Sequence, residues 1–417
     1  MILAGGEVLG HGRADVLLEG GLITRIASSI DGGDRLDCSG AVVVPGFVDL
    51  HTHLREPGRE DSETVASGSA AAAAGGYVAV VAMPNTDPPA DNAGVVAQVR
   101  AAGESAGLCR VLPAGTISAG RAGLSLSPMG ELAAAGVRLF TDDGTCVSHA
   151  GLMRKALEYA MAFGGVVANH AEDADLCDGG VAHEGPVTSR LGLRGRPPEA
   201  EEVIVARDIA LAKATGGRLH LMHLSTAIAV DLVRRAKAEG VDVTAEVTPH
   251  HLTFTEEVLV TYDPLYRVNP PLREKGDVEA LREGLIDGTI DAVATDHAPH
   301  AAADKEREFD LAPPGVIGLE TAFAALRTAV PDLDLATLVE RMSSSPARII
   351  GLSGEFGGPL AEGRKAHLAV VEPEADWEVG PQHLRSRSSN CPWLGRAVRG
   401  RVRFTVYRGH LTHRADG

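Results

Sequence analysis

The chain has 417 residues, a length that fits two to three domains or one large α/β barrel with additions. Hydrophobic residues make up 44% and charged residues 23%, the balance of a globular protein with a large core rather than a disordered one. A net charge of -17 argues against a nucleic-acid partner, no apolar run is long enough to span a membrane, and no signal-peptide pattern opens the chain, so a cytoplasmic protein is expected. Residues 1–41 hold short apolar pieces at 15–18 and 22–26, parted by Gly, Asp and Ser, which predicts β hairpins. The end of the chain reads alike, with apolar pieces at 367–371 and 401–407 and turns at Gly363 and Gly409. Two β-rich flanks around one long middle predict a small β-domain made from both termini. Its parts would be 1–45 and 356–417, around a catalytic domain at 46–355.

The middle alternates. Apolar runs of the kind that form strands buried on both faces lie at 47–50, 77–82, 110–113, 137–140, 166–168, 219–222, 241–247 and 290–294. Between them, 62–74 is Ala-rich and closes at Gly75-Gly76, a helix C-terminal signal. Ser127 with Pro128 reads as an N-cap followed by a first-turn proline, and 149–162, 199–214 and 226–239 are amphipathic. Eight strands alternating with helices or long connections predict an α/β fold, a (β/α)8 TIM barrel with a small composite β-sandwich. The third unit is the least regular, because 115–130 reads as loop.

In such a barrel the active site lies at the C-terminal strand ends. Five of them carry candidate ligands. Strand one delivers His51 and His53, which share a face in an extended chain. Strand four ends in Asp142 and Asp143, strand five in His170, strand six in His223, and strand eight in Asp296, His297 and His300. Singly, each has a plain structural explanation: a hydrogen-bonded core histidine, a turn aspartate or a helix cap. Together on one rim, imidazoles and carboxylates are the set that zinc-class ions take where thiolates are absent. The five Cys are scattered without C-x-x-C spacing, so neither a thiolate site nor a disulfide framework is indicated. One bridging carboxylate would allow two ions. His250 and His251 follow strand seven with no carboxylate nearby and read as structural.

The motifs PGFVDLHTHLREPG, MPNT, FTDDG, HLST, TPHH, VNPPLR, TDHAPH and GVIGLET, in this order over nearly the whole chain, resemble those of the amidohydrolase superfamily. The resemblance is specifically to dihydroorotases of the bacterial class I type. It implies reversible cyclisation of N-carbamoyl-L-aspartate to L-dihydroorotate in pyrimidine synthesis. It also implies zinc, one or two ions with two expected, held by His51, His53, His170, His223 and Asp296, with Asp143 as the bridge. Related hydantoinases, dihydropyrimidinases and allantoinases use a carboxylated Lys on strand four. Here the nearest is Lys155, well into the next helix. Arg55 is suited to grip the carboxylate of dihydroorotate, and it would lie on the face of His53 if the extended form continues. Asn85, Asn269 and His300 are expected to meet the carboxylate and ring edges, and the backbone around Pro314 and Gly315 the ring. Asp296 is expected to carry the proton. The 301–314 segment reads as a rim lid or an exposed loop. The expected partners are the small-molecule substrate, a second copy of the chain and an aspartate transcarbamoylase. A hydantoinase-type activity is the nearest competing reading, opposed by Arg55 and Asp143. A non-catalytic scaffold is a third, opposed by the full ligand set.

Overall fold

A computed structural model describes residues 1–415 of the chain. Val42–Pro45 runs parallel to Ile2–Val8 on one side and antiparallel to Leu368–Glu378 on the other. Strands from both ends of the chain therefore share one eight-stranded sheet. Its core includes Leu3, Val16, Val43, Leu368, Val370 and Val406, all buried.

After Val42–Pro45 the chain passes through Gly46 straight into the first barrel strand, Phe47–Thr52. A Cβ on Gly46 would sit 2.4 Å from Val78 Cγ1, so only glycine lets the two sheets meet this closely. Phe47–Thr52, Tyr77–Ala82 and Arg110–Pro113 pair in parallel. Leu139–Phe140, Val166–Asn169, Leu219–Leu221, Val243–Val247 and Ala292–Val293 form a second parallel set. Two single parallel bridges, Gly115 with Phe140 and Thr52 with His297, join the sets into a ring. This is the expected (β/α)8 barrel. Tyr77–Ala82 is a continuous apolar run, buried throughout, because helices cover the outside and side chains fill the inside.

Several boundaries move. The fourth strand is only Leu139–Phe140, because Val137 N–H closes the preceding helix by donating to Leu132 O at 3.0 Å. The eighth is only Ala292–Val293, since Ile290 N–H donates to Gly284 O at 2.8 Å. The first barrel helix is Val65–Ala74, capped by Thr64. Ser62 and Glu63 are instead tied to the 386–388 loop. Ser127 does not cap: its hydroxyl donates to Thr116 O at 2.5 Å, and the helix begins at Met129. The helices Ala150–Ala160 and Ala227–Ala238 are capped by His149 and Thr226. Among the described residues no helix is long and apolar enough to cross a membrane.

Candidate active site

The strand ends on one rim converge as their spacing requires. His51 Nε2 lies 3.3 Å from both Asp143 Oδ1 and Asp296 Oδ1. His53 Nε2 lies 3.0 Å from Asp296 Oδ1 and 3.4 Å from Asp143 Oδ2. On the other side of Asp143, its Oδ1 is 3.7 Å from His170 Nδ1 and 3.9 Å from His223 Nε2. Those two ring nitrogens are 2.8 Å apart. Two ligand triads result, His51–His53–Asp143 and Asp143–His170–His223, and they share one carboxylate. His223 and Asp296 have φ of 31° and 47°. A non-glycine residue in the left-handed region costs about 1–2 kcal/mol, and here the turn aims His223 at the shared Asp143 and Asp296 at His51 and His53. Asp142, its chain neighbour, faces the other way. It accepts from Ile117 and Ser118 N–H at 2.9 and 3.0 Å, and so fixes the loop after strand three.

These residues fit a divalent metal centre. His51 Nε2 is fully buried with no hydrogen-bond partner, an orphan where a ligand atom belongs. The donors are imidazole nitrogens and carboxylate oxygens, the zinc-class set. Burial alone would raise the Asp143 carboxyl, but the surrounding His51, His170 and His53 imidazoles hold it well below the usual range. Asp296 is likewise buried yet held low, chiefly by His51 and a hydrogen bond with His53. Strand four offers no lysine: Lys155 is exposed on Ala150–Ala160.

Above the triads opens a cavity of about 170 Å³. His53, Asp143, His170, His223 and Asp296 form its floor, and Arg55, Asn85, Asn269, His300, Pro314 and Gly315 line its walls; His51 lies beneath. Arg55 arrives by a different route from the one expected. The strand stops at Thr52 and Arg55 has φ 60°, so a left-handed turn brings it in, not strand alternation. Its Nε donates to Pro299 O at 3.1 Å, while Glu56 accepts from Val65 N–H and Asp61 pairs with Arg59. Burial lowers the guanidinium to about 10 against the opposing pull of Asp296 and Asp143, so it stays charged at neutral pH. Asn85 Oδ1 meets His53 Nδ1 at 3.0 Å. The Asn269 carbonyl accepts from Arg196, and its amide lies 3.1 Å from His170 Nε2. His300 donates Nε2–H to Pro314 O at 2.8 Å. Burial and the nearby Arg55 push it down to about 3. It is therefore neutral, with only Nδ1 left as an acceptor, and Arg55 is the cation of this cavity. Gly315, at φ 135°, leaves room for the wall: a Cβ there would meet Ala298 Cβ at 2.7 Å.

His297 turns out of the cavity, pairing with Glu63 at 3.3 Å and accepting from Gly318 N–H at 3.2 Å. His251 spans Thr248 Oγ1 and Pro270 O at 2.8 and 3.0 Å, as a structural histidine would. The 301–314 segment is folded onto the rim: Phe309 and Ala312 are buried, and Lys305 Nζ donates to Pro313 O at 3.0 Å. Three partners were not anticipated. Glu172 lies 3.4 Å from His170 Nε2, Arg196 links Glu172 to Asn269, and Glu246 lies 3.0 Å from His51 Nδ1. Glu246 left a trace in the sequence, as one of two charges, with Asp242, in the strand-like run at 241–247. Arg196, on a small ribbon paired with Ala182–His183, left none.

Residues 40–228 match a family model described as dihydro-orotase-like. The chain is 49% identical to a dihydroorotase of Streptomyces coelicolor over 99% of this chain and 97% of that protein. It is 48% identical to a dihydroorotase of Mycobacterium leprae over 100% and 99%. Among solved structures it is similar to an L-hydantoinase (dihydropyrimidinase) from Arthrobacter aurescens. The TM-score there is 0.86 at 25% identity, covering 98% of this chain and 95% of that one. A dihydropyrimidinase from Brevibacillus agri shares the fold, with a TM-score of 0.84 at 24% identity, covering 99% and 95%.

Proposed function

The chain belongs to the dihydroorotase family, and from that premise we propose that its rim cavity interconverts L-dihydroorotate and N-carbamoyl-L-aspartate over a pair of zinc ions. One ion would be held by His51, His53 and Asp143 beside Asp296, the other by Asp143, His170 and His223. When bound, such ions lower the pKa of water and polarise a carbonyl oxygen. Everything else is done by the chain.

Arg55 takes the substrate carboxylate bidentately through its two terminal nitrogens, since its Nε is committed to Pro299 O. That anchors the ring with its scissile amide over the floor. The Asn85 amide group remains to meet the ring edge, because its carbonyl faces His53. Asp296 is held anionic, so it can accept the proton of the attacking water. It then delivers that proton to the departing ring nitrogen. In cyclisation the same carboxylate takes the proton from the carbamoyl nitrogen. Asn269, His300, Pro314 and Gly315 complete the wall that orients the ring.

The observation that carries the reading is one carboxylate, Asp143, shared by two triads beneath a wall bearing Arg55. Elemental analysis of purified protein alongside a dihydroorotate hydrolysis assay tests it. The expected result is zinc with turnover. Turnover of dihydrouracil or allantoin, with none of dihydroorotate, would replace it with a hydantoinase-type activity. A cytoplasmic location belongs to the same reading and is supported by five free cysteines. Self-association and a complex with aspartate transcarbamoylase rest on the family likeness, and sedimentation of the chain with and without that enzyme tests both.

A further inference from the structure

Glu246 sits inside the barrel on Val243–Val247 and is fully buried. A carboxylate there is costly unless both oxygens are satisfied. Both are. Oε1 lies 3.0 Å from His51 Nδ1 and Oε2 lies 3.0 Å from His220 Nε2. The far nitrogen of His220 lies 2.9 Å from Thr244 Oγ1. None of Thr244, His220 or Glu246 lines the cavity, so none can touch substrate. The row nevertheless ends on His51, whose opposite nitrogen is the orphan Nε2 facing Asp143 and Asp296 at 3.3 Å. A carboxylate can only accept, so the proton of a neutral His51 must sit on Nδ1. Its lone pair is then on Nε2, aimed at the floor.

We propose that Glu246, braced by His220, is a positioning residue that fixes the His51 tautomer and ring plane and thereby sets the affinity of the His51–His53–Asp143 triad for its divalent ion. This rests on reading that triad as a metal site. The second triad has no contact with Glu246, because His170 has Glu172 as its own outer partner. The two triads should therefore respond differently to losing it.

The test is cobalt titration of chelator-stripped protein, read by visible absorption and by competition with a chromophoric chelator, with melting temperatures of the stripped proteins. His170→Asn serves as the reference for weakening the other triad. Wild type should bind two ions. Glu246→Gln should bind one as tightly as wild type and the other about 10- to 100-fold more weakly. Wild-type affinity for both ions would overturn the proposal. So would equal weakening of both together with a lowered melting temperature, which marks a structural carboxylate only. If Glu246→Gln does not fold, His220→Gln carries the same test, with the same selective loss expected. If neither folds, the pair serves folding and the proposal fails. Wild type that binds no cobalt would instead overturn the metal site itself, and this role with it.

Discussion

Arg55 enters the cavity through one backbone angle, and its chemistry predicts a selective effect. Arg55→Met should raise KM for dihydroorotate at least 30-fold, since removing one partner of a buried charge pair costs about 2 kcal/mol or more. Hydrolysis of uncharged dihydrouracil, however slow, should not change. Equal losses on both substrates would remove Arg55 as the carboxylate grip. Asp296→Asn should keep most of the bound metal, because Asn retains an oxygen and four histidines and Asp143 remain. Turnover should fall at least about 100-fold, the usual worth of a placed proton carrier. Parallel loss of metal and turnover would make Asp296 a ligand only. The sequence pointed to both residues but not to how they arrive. Alternation along a strand put Arg55 on the right face by the wrong path, since the strand ends three residues earlier. Nothing local separates Asp142 from Asp143. What separates them is a pair of backbone amides at Ile117 and Ser118, distant in sequence.

Barrel strands announce themselves as apolar runs because they are buried on both faces, whereas their lengths are set by neighbours. Leu139–Phe140 and Ala292–Val293 are short because helix ends claim the amides just before them, a competition that no single run displays. The same scale holds a test of stability. His367, leading into Leu368–Glu378, lies between the rings of Phe356 and Tyr407, at 4.8 and 5.0 Å. Its Nδ1 accepts from Arg408 N–H at 3.3 Å and its Nε2 has no partner. Burial lowers it to about 4, opposed by Glu355 and helped by Lys365 and Arg408. The unfolded chain takes up this proton near pH 6.5, the native chain only near 4. Its contribution is therefore complete above pH 6.5 and is lost as pH falls to 4, by at most about 3 kcal/mol. His367→Phe keeps the ring stack, so its melting temperature should rise relative to wild type between pH 6.5 and 4. A constant difference across that range would show that His367 does not titrate there.

At the scale of the molecule, metal and fold are linked. The two triads draw on strand ends from both halves of the ring, one, four, five and six, with strand eight beside them. An ion held there binds the folded chain and not the unfolded one. At a free concentration 100 times its dissociation constant, each should add about 2.7 kcal/mol. Chelation should therefore abolish turnover and lower the melting temperature, and added zinc should restore both. Loss of turnover with an unchanged melting temperature would mean that the ions bind native and unfolded chains alike. The path of the chain sets an order in time as well. Val42–Pro45 is made early, yet the neighbour that covers its far edge, Leu368–Glu378, emerges more than 300 residues later. At the roughly 5–20 residues per second of synthesis, that edge stays open for tens of seconds. Through Gly46 it runs straight into the strand that bears His51 and His53. The nascent chain thus carries an unpaired strand edge, open to wrong partners, until Leu368–Glu378 has left the ribosome.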